Sequence, residues 1–569
     1  MDNLLLKLDE TVTGLFADWD LFTTCLASTL VGFIFYQIFT SRDPDSHPML
    51  LARQAQASSV RQEGESAVFR SPSVPHGMPL NTGLNVKDPG TSKWSRGRDG
   101  DLRDIWRKVV AGPTYHEGNT KNERGSIFTV LGSDQIIEHN LADITRQINV
   151  IGQHIKQNGG SRVAIYLPNS IEFLATLFAS AFYDLTVILL PYDKSTEAIA
   201  TFLAKSQADT VVAAVGSFPF DAVTNSYKGL KAIVWVVDEG SKHMDWNEVP
   251  SGTGGAVNVS TWQDLVQDEG ASASSELPPA GTSGETKNII AFWPSEESDV
   301  GELVEYTQTN IVAAISGQIA SLPTVQRISN SDLFLPADSL STIYPLVMTL
   351  TALFSNASVA LNSVAGRTPN LASACQGIAP SIIVASSSTL AKVHTETAQK
   401  LSSPLYKLIH FFQTRTLVQG GVMPFETTLS RLYDSSRPRL STSPGKLRLI
   451  FTSAQADVET EPLSAEALSD LRIYTGARVV YALTAAKVAG AVAQTNVYDY
   501  RVNNVPEKYS HFGAPLNCVE VYFKDKGEYK TTDATAIGEI FARGPAVVGG
   551  EASLNIVGRF KEDHTLALV

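Results

Sequence analysis

The stretch Ser161–Asp193, SRVAIYLPNSIEFLATLFASAFYDLTVILLPYD, predicts the fold of the main body of this chain. Arg162–Leu167 is a short apolar run typical of a buried strand, and the turn Pro168–Ser170 offers an Asn or a Ser to cap a helix. Ile171–Tyr183 is apolar over the length of a helix, and Thr186–Leu190 is a second strand-like run. A strand, a helix and a strand in this order predict one unit of a parallel sheet.

Further strand-like runs continue this pattern along the chain: SQADTVVAAV, KAIVWVVD, ASVALN, PSIIVAS, KLRLIFTS and ARVVYALT. They predict an α/β body over residues 104–500, doubly wound with helices on both faces of the sheet. The runs CVEVYFKD and GEIFARGPAVVGG predict short antiparallel strands and a β-rich lobe over residues 501–569. Residues 41–103, rich in Pro, Ser, Gly and Arg, are interpreted as a linker or as a strap lying on the body, and residues 1–20 as a short tail.

Charge and cysteine content exclude several classes of function. The 45 basic and 58 acidic side chains give a net charge of −13, and no basic stripe is visible, so nucleic-acid binding is not expected. Cys25, Cys375 and Cys518 lie far apart in the sequence, a spacing that indicates neither a disulfide framework nor a metal cluster.

The uncharged segment LFTTCLASTLVGFIFYQIFT, Leu21–Thr40, predicts one transmembrane helix, because twenty helical residues reach about 30 Å. The alternatives are a buried helix or a signal peptide, although the acidic residues before the segment do not suit a signal peptide. Arg42, Arg53 and Arg61 follow the segment and only Lys7 precedes it, so the positive-inside rule predicts a single-pass protein with a cytosolic body. The predicted partner of this segment is the lipid bilayer.

Seven blocks, in order, resemble those of the adenylate-forming (AMP-binding) superfamily, and most of all its long-chain acyl-CoA synthetases. They are VAIYLPNSIEFLATLFASAFYDLTVILLPYD, DLFLPADSLSTIYPLVMTLTALFSNASVALN, KLRLIFTSAQA, RVVYALTAAKVAGAVAQT, HFGAPLNCVEVYFKD, IGEIFARGPAVVGG and LNIVGRFKED. The resemblance implies the large N-terminal α/β domain of that family with its β-rich lobe. It also implies a chemistry in which ATP activates a carboxylate as an acyl-AMP and the acyl group then passes to a thiol such as CoA. The endoplasmic reticulum is a common site for anchored relatives.

The family's phosphate-binding loop, rich in Ser, Thr and Gly and carrying a Lys, matches a degenerate segment here. The matching positions include Ser295, Glu296, Ser298, Asp299 and Glu302, with Glu302 in place of the lysine. A pair of like charges ~4 Å apart costs about 4 kcal/mol at an effective dielectric near 20, so these carboxylates disfavour phosphate. The segment is interpreted as a solvated acidic turn. One alternative is that Lys287, before the strand NIIAFW, contacts phosphate instead.

The remaining implied ligands are also incomplete. Tyr481 and Thr484 match the family's Tyr-Gly-x-Thr-Glu motif, but Ala485 replaces the magnesium-binding Glu, so no metal site is predicted. Thr484 either contacts a carboxylate or phosphate, or caps a turn. Arg559 matches the hinge-motif arginine and is a candidate nucleotide or acyl contact, although the block that carries the ribose-binding Asp looks deleted. The chain stops at Val569, which leads to the expectation that the family's small C-terminal domain is absent or that the sequence is truncated.

These observations predict an acyl-CoA synthetase-like protein that is catalytically impaired, a pseudoenzyme with no catalytic residue assigned. Binding of a fatty acid or an acyl-CoA, or scaffolding of a protein partner in lipid metabolism, is the expected role. The alternatives are an active ATP-dependent long-chain fatty acid:CoA ligase, which alone requires ATP, magnesium and CoA, and a non-catalytic membrane adaptor.

Overall fold

The computed structural model describes residues 13–14, 20–40, 42–88, 90–92, 94–113, 124–131, 135–192, 194–237, 257–268, 274–278, 286–294, 300–362, 370–424, 437–440, 446–502, 507–533 and 535–569. The helices in these ranges are α1 (Leu21–Thr40), α2 (Pro48–Ala52), α3 (Leu102–Ala111), α4 (Leu141–Gln157), α5 (Ile171–Phe182), α6 (Thr196–Ser206), α7 (Phe220–Ser226), α8 (Trp262–Asp268), α9 (Gln308–Ser321), α10 (Ile343–Phe354), α11 (Leu371–Ala374), α12 (Ser387–Lys400), α13 (Pro404–Val418) and α14 (Ala465–Thr475).

The strands alternate with these helices through most of the body. They are β1 (Gln56–Arg61), β2 (Ala67–Arg70), β3 (Ile127–Leu131), β4 (Gln135–His139), β5 (Arg162–Tyr166), β6 (Thr186–Leu189), β7 (Thr210–Ala214), β8 (Ala232–Val236), β9 (Asn258–Thr261), β10 (Ile289–Trp293), β11 (Glu302–Tyr306), β12 (Leu333–Pro336), β13 (Ser358–Asn362), β14 (Ile382–Val384), β15 (Leu449–Gln455), β16 (Arg478–Thr484), β17 (Ala491–Gln494), β18 (Ala514–Pro515), β19 (Glu520–Lys524), β20 (Ile537–Arg543), β21 (Glu551–Phe560) and β22 (Leu566–Leu568).

Two large sheets form the α/β body. One has seven strands in the order β11-β10-β6-β5-β7-β8-β9, and the other has nine in the order β18-β17-β16-β15-β14-β12-β13-β3-β4. Neighbouring strands are parallel in the interior of both sheets, as the alternation of strands and helices predicts. Antiparallel strands close the edges at β10–β11, β3–β4 and β16–β17–β18, so both sheets are mixed.

The strand–helix–strand unit predicted from Ser161–Asp193 is present as β5, α5 and β6. Strands β5 and β6 pair in parallel, and their side chains from Val163 onward are buried. Ser170 caps α5, because its hydroxyl accepts a hydrogen bond from the Phe173 backbone N–H at 3.2 Å. Asn169, the other candidate cap, instead donates to the backbone carbonyl of Asp338 at 2.8 Å and therefore ties this turn to the nine-stranded sheet.

The third sheet has the order β1-β2-β19-β20-β21-β22, and its hydrogen-bonded pairs are antiparallel. Strands β1 and β2 come from residues 41–103, the segment interpreted as a linker or strap, and β2 pairs with β19 at Phe69 and Val521. The Phe69 ring stacks on Phe560 with 3.7 Å between ring centroids. Part of the 41–103 segment thus lies within the sheet of the C-terminal lobe.

Helix α1 occupies the segment for which a transmembrane helix was predicted. Within the part of the chain that the structure describes, no helix combines the length and apolar character needed to cross a bilayer. The predicted span at Leu21–Thr40 is therefore not supported, and with it the single-pass topology.

Candidate ligand-binding site

A cavity of about 550 Å³ lies where the carboxyl ends of strands from the two large sheets meet. Tyr192 follows β6 and Trp293 ends β10 in the seven-stranded sheet. Asp338 follows β12, Ser453 lies on β15 and Thr484 ends β16 in the nine-stranded sheet. Ligands of open α/β sheets bind in such crevices outside the carboxyl ends of the strands, so this cavity is the candidate site.

Hydroxyl groups dominate the wall of the cavity. They belong to Tyr192, Ser339, Ser341, Thr342, Tyr344, Ser386, Ser387, Ser388, Ser453, Thr460 and Thr484. Two helices, α10 and α12, begin at this wall, after Thr342 and Ser386. Ser386 caps α12, whereas Thr342 makes no side-chain cap hydrogen bond to α10. Lys194, which also lines the cavity, and these helix N-termini favour a ligand with one carboxylate or phosphate, whereas Glu459 and Glu461 on the same wall oppose any further negative charge.

Asp338 and Tyr344 place two further ionisable groups on this wall. Burial raises the pKa of the Asp338 carboxyl to about 6, although its Oδ1 accepts a hydrogen bond from the Ser339 backbone N–H at 2.8 Å. The Tyr344 side chain is buried, which raises the pKa of its phenol, and its hydroxyl has no hydrogen-bond partner among the described residues. A buried unpaired hydroxyl of this kind has the capacity to bond a ligand.

We expect Asp338→Asn to raise the free energy of unfolding by about 1–2 kcal/mol at pH 7.5 and to leave it unchanged at pH 4. The pKa of about 6 in the folded chain is above the usual aspartate pKa of 3.8, so ionisation of Asp338 costs stability as pH rises from 4 to 6. Asn keeps the acceptor for the Ser339 N–H and removes the charge. Urea unfolding at the two pH values measures the effect, and an equal change at both would contradict it.

Four of the predicted phosphate-loop positions, Ser295, Glu296, Ser298 and Asp299, lie outside the described residues. Glu302 is the first residue of β11 and pairs with Trp293 across the β10–β11 hairpin, so these positions fall in the connection of that hairpin.

The hairpin is joined to the turn after β16 by two contacts. The Glu302 carboxylate forms an ion pair with Lys487 at 3.2 Å, and the Tyr306 hydroxyl donates to the backbone carbonyl of Ala486. Both charged side chains of the ion pair are about half exposed, so the pair itself adds little stability. Lys287 is exposed, lies two residues before β10 and is not among the residues of the cavity wall.

Tyr481 to Thr484 form the end of β16, and Ala485 directly follows the strand. Tyr481 is fully buried beside Phe512, at 4.9 Å between ring centroids, and does not line the cavity. Thr484 does line it, and its hydroxyl donates to the backbone carbonyl of Ala454 at 3.0 Å. The Thr484 hydroxyl therefore joins β16 to β15 and keeps lone pairs that can accept a hydrogen bond from a ligand.

Arg559 lies on β21 of the third sheet rather than on the cavity wall. Its guanidinium contacts the Glu507 carboxylate at 3.4 Å, and Lys561 bonds the same carboxylate. The segment in which the ribose-binding block looked deleted is the start of β21, where Glu551 pairs with Arg543 across a hairpin. Across the described residues, no group of three or more His, Cys, Asp or Glu side chains is placed to hold a metal ion.

Sequence reasoning missed Lys194, Asp338 and Tyr344 as candidate site residues. The signal that could have found them is their position, since Lys194 and Asp338 each follow a buried strand at its carboxyl end. Tyr344 lies in the first turn of α10 and resembles any other aromatic residue of an apolar helix in sequence. Its role as a wall residue depends on the packing of α10 against the strands.

The family model for AMP-binding enzymes matches residues 131–273 of this chain. The anthranilate CoA ligase AuaEII, solved in complex with anthranoyl-AMP, superposes with a TM-score of 0.58 at 13% identity, over 82% of this chain and 77% of that one. The chain therefore has the adenylate-forming fold of the AMP-binding superfamily, with acyl- and aryl-CoA ligases as structural neighbours, which confirms the resemblance.

Two other relatives extend this comparison. The N-terminal domain of FACL13 from Mycobacterium tuberculosis superposes with a TM-score of 0.55 at 13% identity, over 83% of this chain and 100% of that domain. An uncharacterized protein of Saccharomyces cerevisiae, YHR045W, is 23% identical in an alignment 483 positions long, and the alignment covers 79% of this chain and 76% of the yeast protein. The structural likeness establishes the fold, and the choice of ligand and chemistry rests on the residues of the cavity.

Proposed function

We propose that this chain binds a fatty acid, or the acyl portion of an acyl-CoA, in the cavity between its two large sheets, without efficient adenylation. The single observation that carries the proposal is that the cavity is present, while the metal-binding residue that the family resemblance implies beside it is replaced. Thr484 lies on the cavity wall, and the next residue, Ala485, is buried where the family resemblance implies a metal-binding carboxylate. The chain would then act in lipid metabolism as a binding protein.

The cavity wall carries the carboxyl groups of Asp338, Glu459 and Glu461 beside one ammonium group, that of Lys194, so its electrostatics disfavour ATP and allow at most one anionic group next to Lys194. The helix N-termini of α10 and α12 and the ammonium group of Lys194 attract a carboxylate or a single phosphate. A triphosphate needs more positive charge or a metal ion to offset three or four negative charges, and Glu302 stands in place of the implied lysine. Removal of one such electrostatic group lowers rates by about 10²–10³ in well-studied enzymes, so loss of several leaves binding as the main capacity.

The test is ATP–pyrophosphate exchange by the purified full chain with palmitate as the acid. No exchange above the protein-free blank is expected, whereas an active acyl-CoA ligase assayed in parallel should show it clearly. Exchange that depends on palmitate would contradict the proposed impairment. If Lys287→Ala also abolished that exchange, Lys287 would be the phosphate contact and the chain would be an active ligase.

Binding is tested separately with palmitoyl-CoA and palmitate by calorimetry, using Tyr344→Phe as the matched variant. Loss of the unpaired hydroxyl should lower the affinity for the ligand that it contacts roughly 3–10-fold, as expected for one hydrogen bond. The same substitution should not destabilise the ligand-free chain, because the hydroxyl has no partner there. If neither compound binds, the cavity does not serve lipids and the adaptor alternative stands.

A further inference from the structure

The outer face of α13 carries an apolar surface that nothing in the described structure covers. Its side chains Leu405, Leu408, Phe411 and Phe412 are between 47% and 61% exposed. Leu405, Leu408 and Phe412 follow helical spacing and therefore share one face. Large exposed apolar side chains that cluster in this way mark an interaction surface.

The inner face of the same helix is firmly packed, so α13 is a fixed part of the body. Ile409 and Leu417 are buried in a cluster with Ile473 and Tyr474 of α14. The His410 ring is held by the Asp470 carboxylate at 2.8 Å. The exposed row is thus presented on a rigid helix with a defined orientation.

The charge of α13 differs from that of the chain as a whole. Its sequence PLYKLIHFFQTRTLV contains no Asp or Glu, and its Lys407 and Arg415 are both exposed. The chain carries a net charge of −13, so α13, with two exposed basic side chains and no acidic one, suits an anionic surface better than the chain as a whole does. An apolar row with basic flanks is the pattern of a helix that lies in a lipid interface.

The position of α1 indicates which surface α13 meets. Helix α1 has no charged residue, and its described large apolar side chains, including Leu21, Phe22 and Leu30, are exposed to at least 48%. The chain leaving α1 joins the body at Asp45, whose N–H donates to the backbone carbonyl of Gly421 at 2.9 Å. Gly421 lies three residues after the end of α13, so the chain from α1 joins the body close to the C-terminal end of α13.

We propose that the outer face of α13 is a contact surface for an anionic lipid bilayer. It lies on the side of the body to which the chain from α1 is joined. The apolar row enters the boundary between headgroups and acyl chains, and Lys407 and Arg415 pair with lipid phosphates. This contact orients the body on the bilayer.

The experiment places an environment-sensitive dye at α13 in the full chain. Leu408→Cys is made in a Cys25→Ser background, where the remaining Cys375 and Cys518 are buried and unreactive. Val325→Cys in the same background is the matched control, because Val325 is an exposed apolar residue outside α13. Each protein is mixed with vesicles of phosphatidylcholine and phosphatidylserine at 7:3 and with phosphatidylcholine alone.

With the mixed vesicles the emission at position 408 should shift to the blue and rise several-fold, while emission at position 325 should not change. Lys407→Glu combined with Arg415→Glu should reduce the signal at position 408 about fivefold or more, since each basic side chain near an anionic surface contributes appreciably. The proposal is overturned if the chain does not float with the vesicles, or if position 408 stays aqueous while the chain floats. A lipid-independent blue shift that grows with protein concentration would assign the face to a second copy of this chain and would equally overturn it.

Discussion

Asp499→Ala is expected to lower the free energy of unfolding by about 3–5 kcal/mol, because it leaves several buried polar groups without their acceptor. The Asp499 carboxylate is fully buried and accepts from the Arg501 guanidinium at 2.7 and 2.8 Å. It also accepts from the Gln54 amide at 2.5 Å and lies 3.4 Å from His511. Arg501 retains its second partner, Asp563, whereas Gln54 and His511 lose a buried contact. Urea unfolding at pH 7 measures the loss.

The same substitution should change the acid sensitivity of the chain. Burial alone raises the pKa of the Asp499 carboxyl. Hydrogen bonding from Arg501 and the charge of His511 lower this pKa by a larger amount, so the net pKa is about 2. This value is below the usual aspartate pKa of 3.8, so the ionised carboxylate stabilises the fold above pH 4, and this stabilisation is lost as pH falls toward 2. The stability gap between the two proteins should therefore narrow by about 2 kcal/mol between pH 5 and pH 2.

Asp533→Ala is the matched control for Asp499→Ala. Asp533 is an exposed aspartate of the same lobe, and its removal should change the free energy of unfolding by less than about 0.5 kcal/mol. A comparable loss in both variants would mean that the buried network adds nothing of its own.

The Asp499 network also marks the limit of sequence reasoning for this fold. Gln54 and Asp499 are 445 residues apart, and no local pattern links the two. The turn-rich composition of residues 41–103 favoured a linker or a strap, because Pro, Gly and Ser report on local backbone preference alone. The strands β1 and β2 form there because the edge of a sheet in the C-terminal lobe offers hydrogen-bond partners.

The unit β5–α5–β6 was predictable for the opposite reason. Its strands are buried on both faces, so the sequence is apolar throughout, and Ser170 gives a local start signal for the helix. The candidate site was predictable only in part. The order of the motifs led to Thr484 on the cavity wall, but it also led to Tyr481, which faces the core, and to Arg559, which lies on another sheet. Side-chain direction at the end of a strand depends on register, which motif order does not reveal.

Asp332→Ala is expected to cost about 3–5 kcal/mol of unfolding free energy, because it removes one partner of a buried ion pair. The buried Asp332 carboxylate accepts from Arg448 Nε and Nη2, each at 2.8 Å, and from the Ser381 hydroxyl at 2.8 Å. Burial alone raises the pKa of Asp332, but Arg448 outweighs this effect and the net pKa is lowered. Thermal and urea unfolding at pH 7 measure the change.

The position of this pair connects stability to the candidate site. Asp332, Ser381 and Arg448 each immediately precede a strand, β12, β14 and β15, and together they hold the amino ends of these parallel strands in register. The carboxyl ends of the same strands lead to the wall of the cavity. The double variant Asp332→Leu, Arg448→Met leaves no unpaired charge, so it should recover at least half of the stability lost in Asp332→Ala. A double variant as unstable as the single one would show that these strand ends require the ion pair itself, not merely the absence of a lone buried charge.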